Sequence, residues 1–250
     1  MALQEEFEKQ GLWLFKYRSF LPLIMLLIGA VLYIRTELYP ETFFLEETPY
    51  EDYYEFGCLV VGLIGLAIRI FTVGYSAKNT SGRNVKEQVA DTLNTTGIYS
   101  LVRHPLYLGN FFMWLGPAML TGNFGFILVF CMFYWIYYER IMFAEEQFLR
   151  SKFGNSYMEW AKGVPAFIPS LKNYTSPKYN FSWKKIIKKE KNGLFALFLI
   201  FCTFDITGEL IEHENHYNYF LITACILTGI SYIVVKIIRK NTALLNEDDR

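Results

Sequence analysis

Residues 105–142 read PLYLGNFFMWLGPAMLTGNFGFILVFCMFYWIYYERIM, and this stretch decides the fold. Two apolar runs, 105–121 and 123–142, each approach the roughly 20 residues that a membrane-spanning helix needs. The link between them, Thr121-Gly122-Asn123, is too short for anything but a turn between antiparallel helices, and Gly116-Pro117 predicts a kink in the first. The outer ends of this hairpin, near 103–109 and 143–150, must then return to one face.

Similar runs near 18–38, 56–75, 194–212 and 218–238 bring the expectation to about six spans. Of 250 residues, 53% are hydrophobic and 18% aromatic, and the apolar ones cluster in long runs rather than at amphipathic spacing. The predicted fold class is an all-α, polytopic helical membrane protein. The first run follows Lys16, Tyr17 and Arg18 with no small-residue cleavage site, so it is read as a retained helix. Cys58, Cys131, Cys202 and Cys225 each sit inside an apolar run without CxxC spacing, which points to small buried hydrophobes and not to a metal or disulfide framework.

Net charge is zero, so no general affinity for nucleic acid follows. Charge position is more informative. Lys16, Arg18, Lys78, Arg83, Lys86, Arg103, Arg140, Arg150 and Lys152 flank the runs on one side, while Glu37, Glu41, Glu46, Glu47, Glu51, Asp52, Glu55, Glu209, Glu212 and Glu214 fall on the other. The positive-inside rule predicts cytoplasmic termini in an inner or plasma membrane. Arg69, near the cytoplasmic end of its run, is expected to snorkel. His213 and His216 belong to the outer acidic loop, and no metal site is assigned to them. Trp183 to Lys189 carry paired lysines suited to a helix on an anionic surface.

Chemistry is sought in the two long cytoplasmic stretches, 76–104 and 143–192. In Arg103-His104-Pro105-Leu106-Tyr107-Leu108-Gly109, Pro105 suits the first turn of a helix because its missing N–H would have no partner there. Backbone amides and a positive dipole end then face the same region as Arg103, which predicts a site for an anionic group. Glu145-Glu146 follows the second arm of the hairpin. Adjacent carboxylates at a membrane exit are costly if buried and call for a cationic or hydroxyl-rich partner.

These pieces, with Phe153-Gly154-Asn155-Ser156-Tyr157 after them, resemble the isoprenylcysteine carboxyl methyltransferase and phospholipid methyltransferase superfamily over roughly 55–170. The resemblance implies a cytoplasm-facing pocket for S-adenosyl-L-methionine and a lateral opening for a lipid or lipid-linked substrate. Carried over by position, the cofactor contacts are Asn84, Thr92, Leu93, Asn94, Tyr99, His104, Tyr107 and Glu145. Independently of the resemblance, Arg103, Arg83 or Arg140 could hold an anionic group by a forked contact, and Arg103 and Arg140 are the catalytic candidates. Where the isoprenylcysteine branch has a substrate-binding arginine, this chain has Ile141, with Arg140 one position earlier. One residue turns a helical side chain by about 100°.

The division expected is 1–54 as a first span and acidic loop, 55–170 as the methyltransferase core, 171–192 as a basic interfacial segment and 193–250 as a two-span hairpin. A lipid phosphate such as the 1-phosphate of lipid A is the acceptor expected first, then a phospholipid amine or a prenylcysteine carboxylate. The rival readings are an NADPH-dependent sterol-type reductase, which shares a related arginine-histidine motif, and a non-catalytic transporter or scaffold.

Overall fold

The computed structural model describes residues 2–43, 45, 48–77, 80, 88, 90–213 and 216–245. It is all-helical, 76% helix, with no strand among the described residues. Among the described residues eight α-helices follow in order: α1 (Leu3–Tyr17), α2 (Leu21–Leu38), α3 (Glu51–Tyr75), α4 (Pro105–Met119), α5 (Phe124–Phe153), α6 (Asn155–Gly163), α7 (Trp183–Glu212) and α8 (Tyr219–Asn241). Helices α3, α5, α7 and α8 are long and apolar enough to cross a membrane, and α1 with α2 would make a fifth crossing as a bent pair. The protein is integral to a membrane.

Six full spans are not confirmed. Helix α4, expected over 105–121, stops at Met119 after 15 residues, about 22 Å at ~1.5 Å per residue and short of a hydrocarbon core of ~30 Å. Pro117 lies in its last turn, so the helix ends where a kink was expected. The turn itself forms as read. Gly122 takes φ +60, a left-handed conformation that favours glycine, and Asn123 caps α5 by accepting from the Phe126 amide at 2.9 Å.

Helix α4 is held against α3 by glycines. A Cβ at Gly65 would collide with the Gly109 carbonyl oxygen and the Met113 amide, and one at Gly116 would sit 2.5 Å from the Cys58 carbonyl oxygen. Backbones this close place a short helix deep in the bundle without long side chains to reach for it.

Helix α7 is continuous from Trp183, so the boundary expected at 192/193 falls inside it. Ser182 caps its start, accepting from the Lys185 amide at 3.1 Å. Lys185, expected on a membrane surface, is buried instead: its Nζ donates to Ser76 O, Ser76 Oγ and Ala77 O at 2.6 to 2.9 Å. A cation at the carbonyl end of α3 suits the helix dipole and ties α7 to α3. At the opposite end of the bundle Glu37, Glu51, Asp52, Glu55, Glu209 and Glu212 line one cavity of about 580 Å³, so these six of the acidic residues grouped by sequence share a face.

Substituting Gly65 by valine is expected to destabilise the protein by about 1–3 kcal/mol, because neither backbone neighbour can move aside cheaply. Thermal unfolding in detergent checks this. An unchanged midpoint would mean that α3 and α4 do not pack this closely.

Candidate functional site

The two arms of the hairpin carry their polar residues to one place. His104 precedes α4 with Pro105 at the first helical position, and Tyr107 lies in the first turn. Across from them α5 runs to Phe153, presenting Glu145 and Glu146. His104 Nε2 lies 2.9 Å from Glu146 Oε1, and His104 Nδ1 lies 3.6 Å from Glu145 Oε2. The Tyr107 hydroxyl donates to Glu145 Oε1 at 2.6 Å, and its ring stacks on the His104 imidazole at 5.8 Å.

Arg103 joins from the same side. One of its terminal nitrogens donates to the Ala161 carbonyl at 3.1 Å, and Nε lies 3.1 Å from Glu146 Oε1. That second contact is an ion pair without hydrogen-bond alignment, and Nε is buried with no hydrogen-bond partner. Gly154, at φ +54, turns the chain after α5 so that α6 returns and sets Tyr157 beside Glu146. The buried Tyr157 hydroxyl likewise lacks a partner in hydrogen-bond geometry.

The anion site expected at the start of α4 is filled from within the chain. The amides of Arg103 and His104 donate to the carbonyls of Pro165 and Ala166, and Gly97 donates to Thr175. Residues 165–175 thus strap the 97–104 segment. Its cause is the accounting of buried backbone donors: once the site loop is covered, its amides must find carbonyls.

Burial alone would lower the His104 pKa, but hydrogen bonds and charge from Glu145 and Glu146 outweigh it and raise the value above 6.5. Tyr99 is pushed up by burial and then by the Glu145 charge, which places it in the same field. Asn94 contacts Tyr99, donates to Thr80 Oγ at 2.8 Å and accepts from the Ala77 amide at 3.4 Å.

Of the residues expected from sequence, His104, Tyr107, Glu145, Arg103, Tyr99 and Asn94 are brought together. Thr92 is exposed and Leu93 half-buried, and no described contact ties either to the acid pair. Asn84 lies outside the described residues, as does Arg83. Arg140 is not brought to the cluster: it pairs with Glu139 at 3.0 Å and covers the Phe7 ring of α1 at 3.4 Å. Ile141, next to it, is fully buried.

Residues 57–156 match the family profile described as phospholipid methyltransferase. That segment is similar to the isoprenylcysteine carboxyl methyltransferase and phospholipid methyltransferase superfamily. The chain is 42% identical over 103 residues to a protein-S-isoprenylcysteine O-methyltransferase of Schizosaccharomyces pombe, covering 38% of this chain and 43% of that one. A protein of the same name from Xenopus laevis is 33% identical over 138 residues, 52% of this chain and 47% of its own. Cobalt-zinc-cadmium resistance protein CzcN of Cupriavidus metallidurans is 35% identical over 118 residues, 46% and 51% of the two chains. The chain thus spans about half the length of these curated relatives. No solved structure matches it.

Glu146 and Tyr157 entered the sequence reading only as parts of motifs, and Tyr134 and Tyr138 were not singled out at all. A signal existed for the last two. Tyr134, Tyr138, Ile141 and Glu145 are spaced i, i+4, i+7 and i+11, which is one face of a helix.

His104 supplies a pH test. Its pKa is raised by folding, so the stability it contributes is complete below about 6.5 and is lost as pH rises through the folded value. The melting temperature of the wild type should exceed that of His104→Gln at about pH 6, with the gap closing toward about pH 9. A gap that stays constant or widens would exclude the charged imidazole.

Proposed function

We propose that this protein is a membrane O-methyltransferase that uses S-adenosyl-L-methionine to methylate an anionic oxygen on a lipid-linked acceptor. The observation that carries the reading is the convergence of His104, Tyr107, Glu145 and Glu146 at one end of the hairpin, inside the segment that matches the methyltransferase superfamily. The donor set fits the cofactor. Glu145 and Glu146 suit an ammonium and ribose hydroxyls, and Tyr99, Tyr107 and Tyr157 offer aromatic faces to a cation. The buried Arg103 Nε and Tyr157 hydroxyl have hydrogen-bonding capacity to give a polar ligand. Asn94 extends this wall, with Asn84, Thr92 and Leu93 as further contacts of the same reading.

When bound, S-adenosyl-L-methionine supplies a methyl group on a cationic sulfur, open to in-line displacement. A carboxylate or phosphate oxygen is ionised at neutral pH, so no residue of this chain has to remove a proton. Its residues align the acceptor and keep water out, and charge is cancelled as transfer proceeds, which a poorly solvated site favours. The rings of Phe111, Tyr134 and Tyr138 pack beneath Tyr107 and supply that dry wall. Arg103, unlike Arg140, stands where it can hold an anion.

An isoprenylated cysteine carboxylate is the acceptor favoured here, because that is what the names of the Schizosaccharomyces and Xenopus relatives describe. A lipid phosphate such as the 1-phosphate of lipid A draws on Ile141, which fills the core where the isoprenylcysteine branch carries an arginine, and on Arg83, which lies outside the described residues.

Calorimetry on the protein in nanodiscs should detect saturable binding of S-adenosyl-L-methionine and none of NADPH. N-acetyl-S-farnesylcysteine should then accept a labelled methyl group, and lipid A should not. Glu145→Ala and His104→Ala should each lose donor affinity by about tenfold or more, the ~1.4 kcal/mol expected when a charged partner is removed. Normal binding and turnover in both variants would overturn the site, and binding of NADPH alone would replace the reading with a reductase.

A further inference from the structure

Arg69 does not snorkel. It lies in α3, six residues before the helix ends at Tyr75, where an unpaired guanidinium would be expensive. Its Nε and one terminal nitrogen donate to the two carboxylate oxygens of Glu190, both at 2.8 Å, in a forked pair that buries the carboxylate. The other terminal nitrogen donates to Asn110 Oδ1 at 2.6 Å.

Asn110 stands on α4 three residues after Tyr107. Tyr134 donates its hydroxyl to the Tyr107 carbonyl at 2.7 Å, the Tyr138 ring packs on the Tyr107 ring at 4.8 Å, and Tyr107 donates its own hydroxyl to Glu145. The first turns of α4 are thus held by Arg69 through Asn110 and by the tyrosines of α5.

We propose that Glu190 is a positioning residue for methyl transfer: by fixing the Arg69 guanidinium it fixes Asn110, and with it the first turns of α4 that set Tyr107 against Glu145. Helix α7, outside the matched segment 57–156, is then part of the catalytic unit. The inference rests on the methyltransferase reading above and adds the residue that sets its geometry. A purely structural ion pair would hold α7 to α3 and nothing more.

The test uses the full chain in nanodiscs with labelled S-adenosyl-L-methionine and N-acetyl-S-farnesylcysteine. Glu190→Gln alone would leave a buried cation and unfold the protein, so Arg69→Met with Glu190→Leu removes both charges while keeping apolar contact. This double variant should keep the wild-type melting temperature, lose about tenfold in kcat and leave the acceptor KM unchanged. Asn110→Ala, with the ion pair intact, should show the same loss, and adding it to the double variant should cost nothing further. Wild-type kcat in the double variant, or in Asn110→Ala should the double variant not fold, overturns the proposal and leaves the methyltransferase reading standing. Absence of donor binding and transfer in the wild type overturns both.

Discussion

Two neighbouring carboxylates at the end of a membrane helix set the terms for everything around them. Glu145 and Glu146 could not sit in a covered site unless their charge were answered, since an uncompensated buried carboxylate costs several kcal/mol. The answer comes from the other arm of the hairpin: His104 between the two acids, Arg103 on one and the Tyr107 hydroxyl on the other. These donors are some forty residues away in sequence. They arrive because the link Thr121-Gly122-Asn123 is a tight turn and because glycines let α4 lie directly against α3. The chemistry of the site and the packing of the bundle are thus one constraint seen from two sides.

The same logic explains why polar contacts extend so far from the acid pair. A guanidinium at membrane depth needs a carboxylate, and Glu190 provides it. The guanidinium's third arm needs an acceptor, and Asn110 supplies it from α4, three residues after Tyr107. Where hydrogen-bonding groups cannot turn to water, each satisfied group dictates the orientation of the next.

Much of this was legible in the sequence. The helical class, the hairpin turn and the meeting of 103–109 with 143–150 followed from run length and the short link alone, because membrane thickness leaves few options for an apolar run. Helix α4 escaped because hydropathy does not see where a helix stops: Pro117 and the glycine packing end it early. Arg69 and Lys185 were misread because a lone basic residue near a membrane edge looks alike whether it reaches for water or for a partner on a distant helix. Glu190 and Ser76, the partners, are over a hundred residues away. Arg140 covers Phe7 of α1, over a hundred residues away in sequence, a contact that no local pattern announces.

The strap that pairs the Arg103 and His104 amides with the Pro165 and Ala166 carbonyls has a consequence for biosynthesis. As the chain emerges from the ribosome, the hairpin can insert and bring its acids and bases together, but its loop amides stay uncovered until residue 166 has been made. Glu190 follows later still, already within the next crossing. The centre is therefore completed late, by segments synthesised after it, and a ribosome stalled just past Phe153 would leave an inserted hairpin whose chemical end is open to water.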